Sequence, residues 1–408
     1  MCKPTIFILL TIAFSYSAHA QLSNQAQLLA DLEGLFKNLS QRYTYFEEKN
    51  VDLDCLRSVY TQKIQEANSN DDVLLLFEYL LDEFYDNHIS LSANLSSSYR
   101  LNGPLIVKPK GKTFTVVDFN NTYFGELIEN IMGAELIAFN GIKMEQWIKQ
   151  FPTFCNDKTN LAVQEWMANK ILAGRYSEPR LVRLRLSSGK EYELDLDRLQ
   201  ENPRQHRLSS NIDKDNIGII RFHNSLGQNQ LITEFDTSLD QMMETRGLII
   251  DLRNTISGGN TYVARGIMGR FITTEVPYQV HAYEEAYDDG PSITRKWLEY
   301  VSPRGRTYDR PVVLLVNRWT GSMGEGMAIG FEGMRRGTVM GSEMARLAGG
   351  ISGFSFMHQT FGYQLSTEKL YHVNGIAREK YLPTILLKLE DNRGDQFLEQ
   401  AKAFLLDK

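Results

Sequence analysis

Residues 311–331 read Pro-Val-Val-Leu-Leu-Val-Asn-Arg-Trp-Thr-Gly-Ser-Met-Gly-Glu-Gly-Met-Ala-Ile-Gly-Phe. The apolar run at 312–316 is typical of a buried strand, and the apolar residues that follow position 326 predict a helix. Ser322 therefore lies in a Gly-rich turn from strand to helix, where free N–H groups and the positive helix end can stabilise an anion. Such a serine is well placed to act as a nucleophile. A serine that only caps the helix fits the same residues.

The composition is that of a globular protein with several domains. The chain has 408 residues, of which 42% are hydrophobic and 23% charged, and its net charge is −6. This length exceeds what one ordinary core accommodates, so two or three domains are expected. The acidic balance and the lack of a basic stretch exclude nucleic acid as an expected partner.

The N-terminus has the pattern of an export signal. Lys3 is a short basic region, residues 6–14 are apolar, and Ala18-His19-Ala20 is a cleavage pattern. We expect residues 1–20 to be removed before Gln21, because the apolar run is too short to span a bilayer. The mature protein is then expected to be exported, either periplasmic or secreted, without a stable membrane span.

The cysteines leave one question open. Cys2 departs with the signal, so Cys55 and Cys155 remain, and they either form a disulfide or stay as free thiols. Neither lies in a metal-binding spacing, and the chain contains no His-Glu-x-x-His, so a structural or catalytic zinc site is not expected. The family resemblance described below implies no metal or other cofactor either.

The hydrophobic pattern changes along the chain. Residues 21–100 show helical spacing, and a helix is predicted to start at Ser69. Residues 101–200 contain short β-type runs, including 133–141, a strand that leads into an Asn-Gly turn. Residues 201–216 are polar and resemble a linker.

From residue 205 to residue 408, apolar strands alternate with helical segments. The strands are predicted at 217–220, 247–252, 312–316 and 338–341, and a last helix at about 396–406. This alternation predicts an α/β core.

A second Gly-rich turn follows the strand at 247–252. Gly258 and Gly259 can present backbone N–H groups to an anion, although an ordinary tight turn has the same sequence. For a general base, His88 stands out among the histidines, because it follows the exit of a predicted helix and can project into a cleft.

Taken together, these segments resemble the serine peptidases of the carboxy-terminal processing and tricorn-core-like family. Residues 247–253 with Gly258-Gly259 resemble the family's Asp-Leu-Arg…Gly-Gly segment, and residues 316–325 resemble its nucleophile segment. Further similar segments are Thr338–Gly341, Asp86-Asn87-His88 and Gly133–Gly141, the last resembling the end of a PDZ-like domain. The resemblance covers nearly all of the mature chain in the expected order.

The resemblance also indicates which of the two branches of this family the chain is more similar to. The processing-protease branch has a lysine about 25 residues after the serine, where this chain has Arg346 and its neighbours, and an arginine stays protonated. The tricorn-like branch uses an upstream histidine, a role that His88 fits, oriented by a serine and a glutamate. Asn87 stands in place of that serine, and Glu379 matches the glutamate, although a solvated surface acid fits Glu379 equally well.

The resemblance implies a multidomain α/β protein with a helical N-terminal segment (21–100), a PDZ-like β-rich module (101–200) and a crotonase-like α/β catalytic core (205–408). It implies a serine peptidase acting on peptide or protein substrates, with Ser322 as nucleophile and His88 as base. Met323 and one of Gly258 and Gly259 are then expected to donate N–H groups to the oxyanion. The alternatives are a non-catalytic exported peptide-binding protein and an esterase that uses the same serine.

Overall fold

The computed structural model describes residues 24–202, 206–285 and 290–408. The predicted signal segment, residues 1–20, lies outside these ranges. Among the helices in the described ranges, none is both long enough and apolar enough to cross a membrane.

The N-terminal part is helical, as its apolar spacing predicts. Its elements are α1 (Gln25–Arg42), α2 (Phe46–Lys49), α3 (Leu53–Glu66) and α4 (Asn70–Asp82), followed by the short strand β1 (Ser90–Leu91). The Ser69 side chain accepts the N–H of Asp72 at 3.1 Å, so the predicted start of α4 is confirmed.

The middle part is an antiparallel sheet with helices. Its elements are β2 (Leu105–Lys110), β3 (Thr113–Phe119), α5 (Asn121–Phe124), β4 (Glu135–Phe139), α6 (Met144–Gln150), α7 (Leu161–Ala173), β5 (Leu181–Arg185) and β6 (Glu191–Asp195). The strands lie in the order β2-β3-β4-β5-β6. The predicted Asn-Gly turn follows β4, with positive φ at both Asn140 and Gly141.

The C-terminal part alternates strands and helices. Its elements are β7 (Leu208–Ile212), β8 (Ile217–Phe222), α8 (Gln230–Asp240), β9 (Gly247–Asp251), α9 (Thr261–Met268), β10 (Val276–Glu285), β11 (Ile293–Val301), β12 (Val312–Val316), α10 (Met323–Gly333), β13 (Thr338–Gly341), β14 (Gly350–Ser355), β15 (Gly362–Tyr371), β16 (Ile385–Leu386) and α11 (Gln396–Leu406). The strands predicted at 217–220, 247–252, 312–316 and 338–341, and the last helix, are confirmed.

The central sheet of this part has the strand order β16-β13-β12-β9-β8-β7. Its pairs are parallel except for β7, which runs antiparallel to β8 at the edge. Every residue of β9 and β12 is buried, because apolar side chains cover both faces of the sheet. The segment predicted to be a linker thus contains strand β7, whose mostly exposed polar side chains hid it from the hydrophobic pattern.

A second sheet was not expected from the sequence. Its strands lie in the order β1-β15-β10-β11, and β14 also pairs with β15. Strand β1 begins at Ser90, shortly after His88, and pairs with β15, so that Ser90 faces Gln364. Through this pairing, the end of the N-terminal helical part becomes a strand of a sheet in the C-terminal part.

The multidomain α/β prediction is therefore confirmed at this level. The more specific assignments, a PDZ-like module and a crotonase-like core, stay predictions.

The two cysteines that the sequence left open form a disulfide. Cys55 of α3 and Cys155 of the loop after α6 are bonded, with a Cα–Cα distance of 5.8 Å. Beside this bond, the buried carboxylate of Glu83 accepts the N–H groups of Phe154, Cys155 and Asn156 at 2.6, 3.0 and 3.0 Å. The disulfide and these hydrogen bonds thus join the N-terminal helical part to the middle part, and Glu83 lies five residues before His88 in the sequence.

Candidate active site

Ser322 occupies the turn between β12 and α10. It is the N-cap residue of α10, and its φ of +50° is unusual for a residue with a side chain. The turn is fixed by local hydrogen bonds, in which Asn317 N–H donates to Thr320 Oγ1 at 3.0 Å and Trp319 N–H donates to Asn317 Oδ1 at 2.9 Å. Backbone strain of this kind persists only where the surroundings hold it, and it is frequent at functional sites.

A buried carboxylate stabilises the Ser322 turn by accepting hydrogen bonds from backbone N–H groups. Glu325 is 0% exposed and accepts the N–H of Ser322 at 2.9 Å. It also accepts the N–H groups of Arg346 at 2.9 Å and Leu347 at 3.2 Å. Burial raises the pKa of Glu325 to about 7, and the positive charge of Arg378 and these N–H donors oppose that rise.

The Gly-Gly turn lies directly against the serine. A Cβ atom on Gly258 would come within 2.5 Å of Ser322 Cβ, and Gly258 has a φ of +62°. Only glycine combines this backbone conformation with this close approach.

Gly258 and Gly259 differ in whether their N–H groups already donate a hydrogen bond. The N–H of Gly258 donates to the carbonyl of Thr255 at 3.0 Å. Gly259 pairs with Leu226 in a parallel bridge in which Leu226 makes both hydrogen bonds, so the N–H of Gly259 faces away from Leu226. Within the described ranges, no acceptor takes the N–H of Gly259 or that of Met323.

His88 lies at the end of the loop that follows α4. It is 5% exposed, and its N–H donates to Asp86 Oδ1 at 2.9 Å, while Tyr43 donates its hydroxyl to Asp86 Oδ2 at 2.8 Å. Its Nδ1 lies 2.7 Å from the carbonyl oxygen of Ala348. Burial lowers the pKa of His88, Arg378 lowers it further, and the Ala348 carbonyl and Asp86 act in the opposite direction.

Glu379 lies in a 3-10 turn, Arg378–Lys380, and is partly buried. Its Oε2 and the hydroxyl of Tyr45 are both buried, and neither makes a well-formed hydrogen bond with a described residue. Burial raises the pKa of Glu379, with Arg378 and Tyr45 opposing the rise.

The structure brings most of these residues into one cavity of about 860 Å³. Ser322, His88, Glu379 and Gly259 all line it, together with the segment 345–348. Within the described part of the chain, no hydrogen bond joins Ser322 to His88 or His88 to Glu379. The orienting partner of the His88 ring is thus the Ala348 carbonyl, whereas the resemblance implied a serine and a glutamate.

Two protein-family models match parts of this chain. Residues 216–386 match the model of peptidase family S41, and residues 26–82 match that of the tricorn protease C1 domain. The chain is a serine-type peptidase, and its segment 216–386 is similar to family S41. A comparison of this peptidase with curated protein sequences found no significant match.

Solved structures with the same fold include several peptidases. Mature CPAF complexed with lactacystin is 15% identical, with 94% of this chain and 97% of that chain covered and a TM-score of 0.61. A putative peptidase from Parabacteroides merdae is 16% identical, with coverage of 93% and 97% and a TM-score of 0.54. The photosystem II D1 C-terminal processing protease is 13% identical, with coverage of 93% and 96% and a TM-score of 0.53. At these identities the likeness establishes only the fold of this peptidase.

Sequence reasoning missed two buried residues near the candidate site. Glu325 was part of the quoted nucleophile segment, and its position three residues into a helix after the N-cap was the available signal for its contact with the Ser322 N–H. Arg378 precedes Glu379 and is 2% exposed, and nothing in the local pattern marks it as buried.

Proposed function

We propose that this serine-type peptidase cleaves peptide bonds through an acyl-enzyme on Ser322, with His88 as the general base. The observation that carries the proposal is the shared cavity, which is lined both by Ser322 and by His88, a buried histidine whose Nδ1 faces the Ala348 carbonyl. A carbonyl oxygen can only accept a hydrogen bond, so Nδ1 carries the proton and Nε2 keeps its lone pair. This is the tautomer that a general base requires.

The proposed reaction has two halves. In the first, Ser322 Oγ attacks the peptide carbonyl while its proton passes to His88 Nε2, and that proton then goes to the leaving amine as the C–N bond breaks. In the second, water gives a proton to Nε2 and attacks the ester, and Ser322 leaves with the proton returned. Apo enzymes often have loose nucleophile–base contacts that tighten with substrate, so the absence of a Ser322–His88 hydrogen bond is compatible with this route.

The oxyanion is proposed to bind the N–H groups of Gly259 and Met323. Both N–H groups are free of acceptors among the described residues, whereas that of Gly258 is already used by Thr255. Met323 N–H also lies at the first turn of α10, where the helix end favours negative charge. One such donor contributes about 2.7–4 kcal/mol of transition-state stabilisation in other enzymes.

The test is cleavage of a proteome-derived peptide library, with new termini identified by mass spectrometry. The wild type is expected to cut peptides, and Ser322→Ala and His88→Ala are each expected to lose at least about 10³-fold in kcat/KM. Ser257→Ala is a matched control in the same cavity, because Ser257 donates its hydroxyl to Asn224 at 2.7 Å, and it should keep most of the activity. A folded wild type that hydrolyses small esters and no peptide would contradict the proposal, as would an active Ser322→Ala variant.

Export of the protein is also proposed. It is supported by the basic, apolar and Ala-x-Ala pattern of residues 1–20 and by the Cys55–Cys155 disulfide, a bond that oxidising compartments favour. N-terminal sequencing of protein recovered outside the cytoplasm should begin at Gln21. A chain that retains Met1 in the cell would contradict the proposal.

A further inference from the structure

Arg378 contacts the segment that orients the proposed base. Its guanidinium is buried behind the cavity wall, and Nη2 donates to the carbonyls of Leu347 at 3.1 Å and Gly349 at 2.6 Å. These two carbonyls flank Ala348, whose own carbonyl meets His88 Nδ1 at 2.7 Å. The position of the Ala348 carbonyl is therefore set by an arginine that does not itself line the cavity.

The same segment is joined to the nucleophile turn. Leu347 N–H donates to Glu325 Oε2 at 3.2 Å, and this oxygen also accepts the Ser322 N–H at 2.9 Å. A short chain of contacts thus runs from Ser322 through Glu325 and Leu347 to Arg378, and from there through Ala348 to His88. Each link is a hydrogen bond or a peptide bond, and all the members are buried or partly buried.

We propose that Arg378 is a positioning residue of the reaction, which fixes Leu347-Ala348-Gly349 so that Ser322 and His88 keep their relative placement. This inference rests on the function proposed above. It adds a residue that acts through the Ala348 carbonyl and Glu325, and that touches neither substrate nor the reacting atoms. Both hydrogen bonds come from Nη2, whose two N–H groups lie in the fixed plane of the guanidinium, and a lysine ammonium has no such plane.

The charge of Arg378 adds a second effect. It faces Glu325, His88, Glu379, Tyr45 and Tyr278, and it favours the neutral imidazole and the ionised carboxylates. Around His88, Asp86 is the acid that opposes it. Removal of this charge should therefore raise the pKa of His88 and that of Glu325, and both changes move the acid limb of the activity profile to higher pH.

The experiment measures kcat and KM against pH for the wild type, Arg378→Gln and Arg378→Lys. Arg378→Gln is expected to lower kcat by about 10- to 100-fold, the usual range for residues that orient a reacting group, with a smaller change in KM and an acid limb at higher pH. Arg378→Lys keeps the charge, so its acid limb should stay near that of the wild type while its kcat falls. A merely structural arginine would lower stability without moving the acid limb.

Arg336 is the matched control. It also donates to backbone carbonyls, those of Phe271 at 2.7 Å and Tyr308 at 2.9 Å, and it lies away from the cavity. Arg336→Gln should lower thermal stability and leave the acid limb in place.

Wild-type kcat and an unshifted acid limb in both Arg378 variants would overturn the inference while leaving the proposed function intact, provided that Ser322→Ala and His88→Ala are inactive. If Arg378→Gln does not fold, Arg378→Lys decides: a wild-type kcat overturns the inference, and a reduced kcat at an unchanged Tm supports it. A wild type that cleaves no peptide would instead remove the proposed function, and with it this inference.

Discussion

The carbonyl oxygen of Ala348 lies 2.7 Å from Nδ1 of His88. In many serine hydrolases a carboxylate occupies this position and stabilises the imidazolium that forms during the reaction. A carbonyl fixes the tautomer and the ring orientation, but it brings only a partial negative charge. The buried His88 is therefore held neutral, in the state that can accept a proton.

The pH dependence of activity should report two groups near the proposed nucleophile and base. Burial raises the pKa of Glu325 to about 7, and burial together with Arg378 lowers the pKa of His88. Activity needs His88 neutral and, in this account, Glu325 ionised to accept its three N–H donors. Wild-type kcat/KM should thus rise with pH through about 7, because Glu325 is the last of the two to lose its proton.

The Glu325→Gln variant should show how His88 alone shapes the pH dependence, because the carboxyl group of residue 325 is then absent. The amide presents an N–H₂ group where a carboxylate oxygen accepted N–H groups, so we expect kcat to fall about 10- to 100-fold. Of these two groups only His88 can then change its protonation. The acid limb of the kcat/KM profile should therefore move to below about 6.5, the ordinary pKa of histidine. Glu332→Gln in the same helix, α10, is the control and should keep the wild-type profile. An acid limb that stays near 7 in Glu325→Gln would refute the assignment.

Gly258→Ala should inactivate the enzyme by displacing Ser322. The new Cβ would lie 2.5 Å from Ser322 Cβ, so the serine or the turn has to move. A displacement of about 1 Å at a reacting group can cost about 10²-fold in rate, and crowding of this kind costs about 1–3 kcal/mol of stability. Peptide cleavage and thermal unfolding measure the two effects.

Gly111→Ala is the control for backbone conformation. Gly111 has a φ of +63°, close to the +62° of Gly258, but no described residue lies within 4 Å of the Cβ that an alanine would add. This variant should lose about 1 kcal/mol from the left-handed backbone alone and keep full activity. Equal activity in the two alanine variants would show that the contact with Ser322 is unimportant.

Reduction of the Cys55–Cys155 disulfide should destabilise the protein. The bond joins residues 100 apart in sequence, and removal of a disulfide that closes a loop of this kind typically costs about 2–4 kcal/mol. Cys55→Ser with Cys155→Ser should lower Tm, and a reductant should lower the Tm of the wild type to that of the double variant. A wild-type Tm that does not respond to reductant under unfolding conditions would argue against this role.

Local sequence patterns predicted the parts of the fold that depend on local chemistry. The start of α4 at its Ser69 cap, the buried strands β9 and β12, and the Gly-rich turn at Ser322 each follow from a few neighbouring residues. The pattern also singled out His88, Gly258 and Gly259, and of these His88 and Gly259 line the Ser322 cavity.

The remaining features depend on contacts between distant segments. Strand β11 was missed because its side chains are largely exposed and show no apolar alternation. The partner of His88 is a backbone carbonyl 260 residues away, and a carbonyl leaves no trace in the residue type. The burial of Arg378 depends in the same way on the path of the segment 347–349. The residues next to Arg378 in the sequence do not predict this contact.

The measurement that tests the central claim most directly is the reaction with a fluorophosphonate, followed by intact mass and peptide mapping. We predict a single adduct on Ser322 in the wild type, none on Ser322→Ala, and strongly slowed labelling of His88→Ala. Labelling of Ser322→Ala at the wild-type rate, or no adduct on the folded wild type, would contradict Ser322 as the nucleophile.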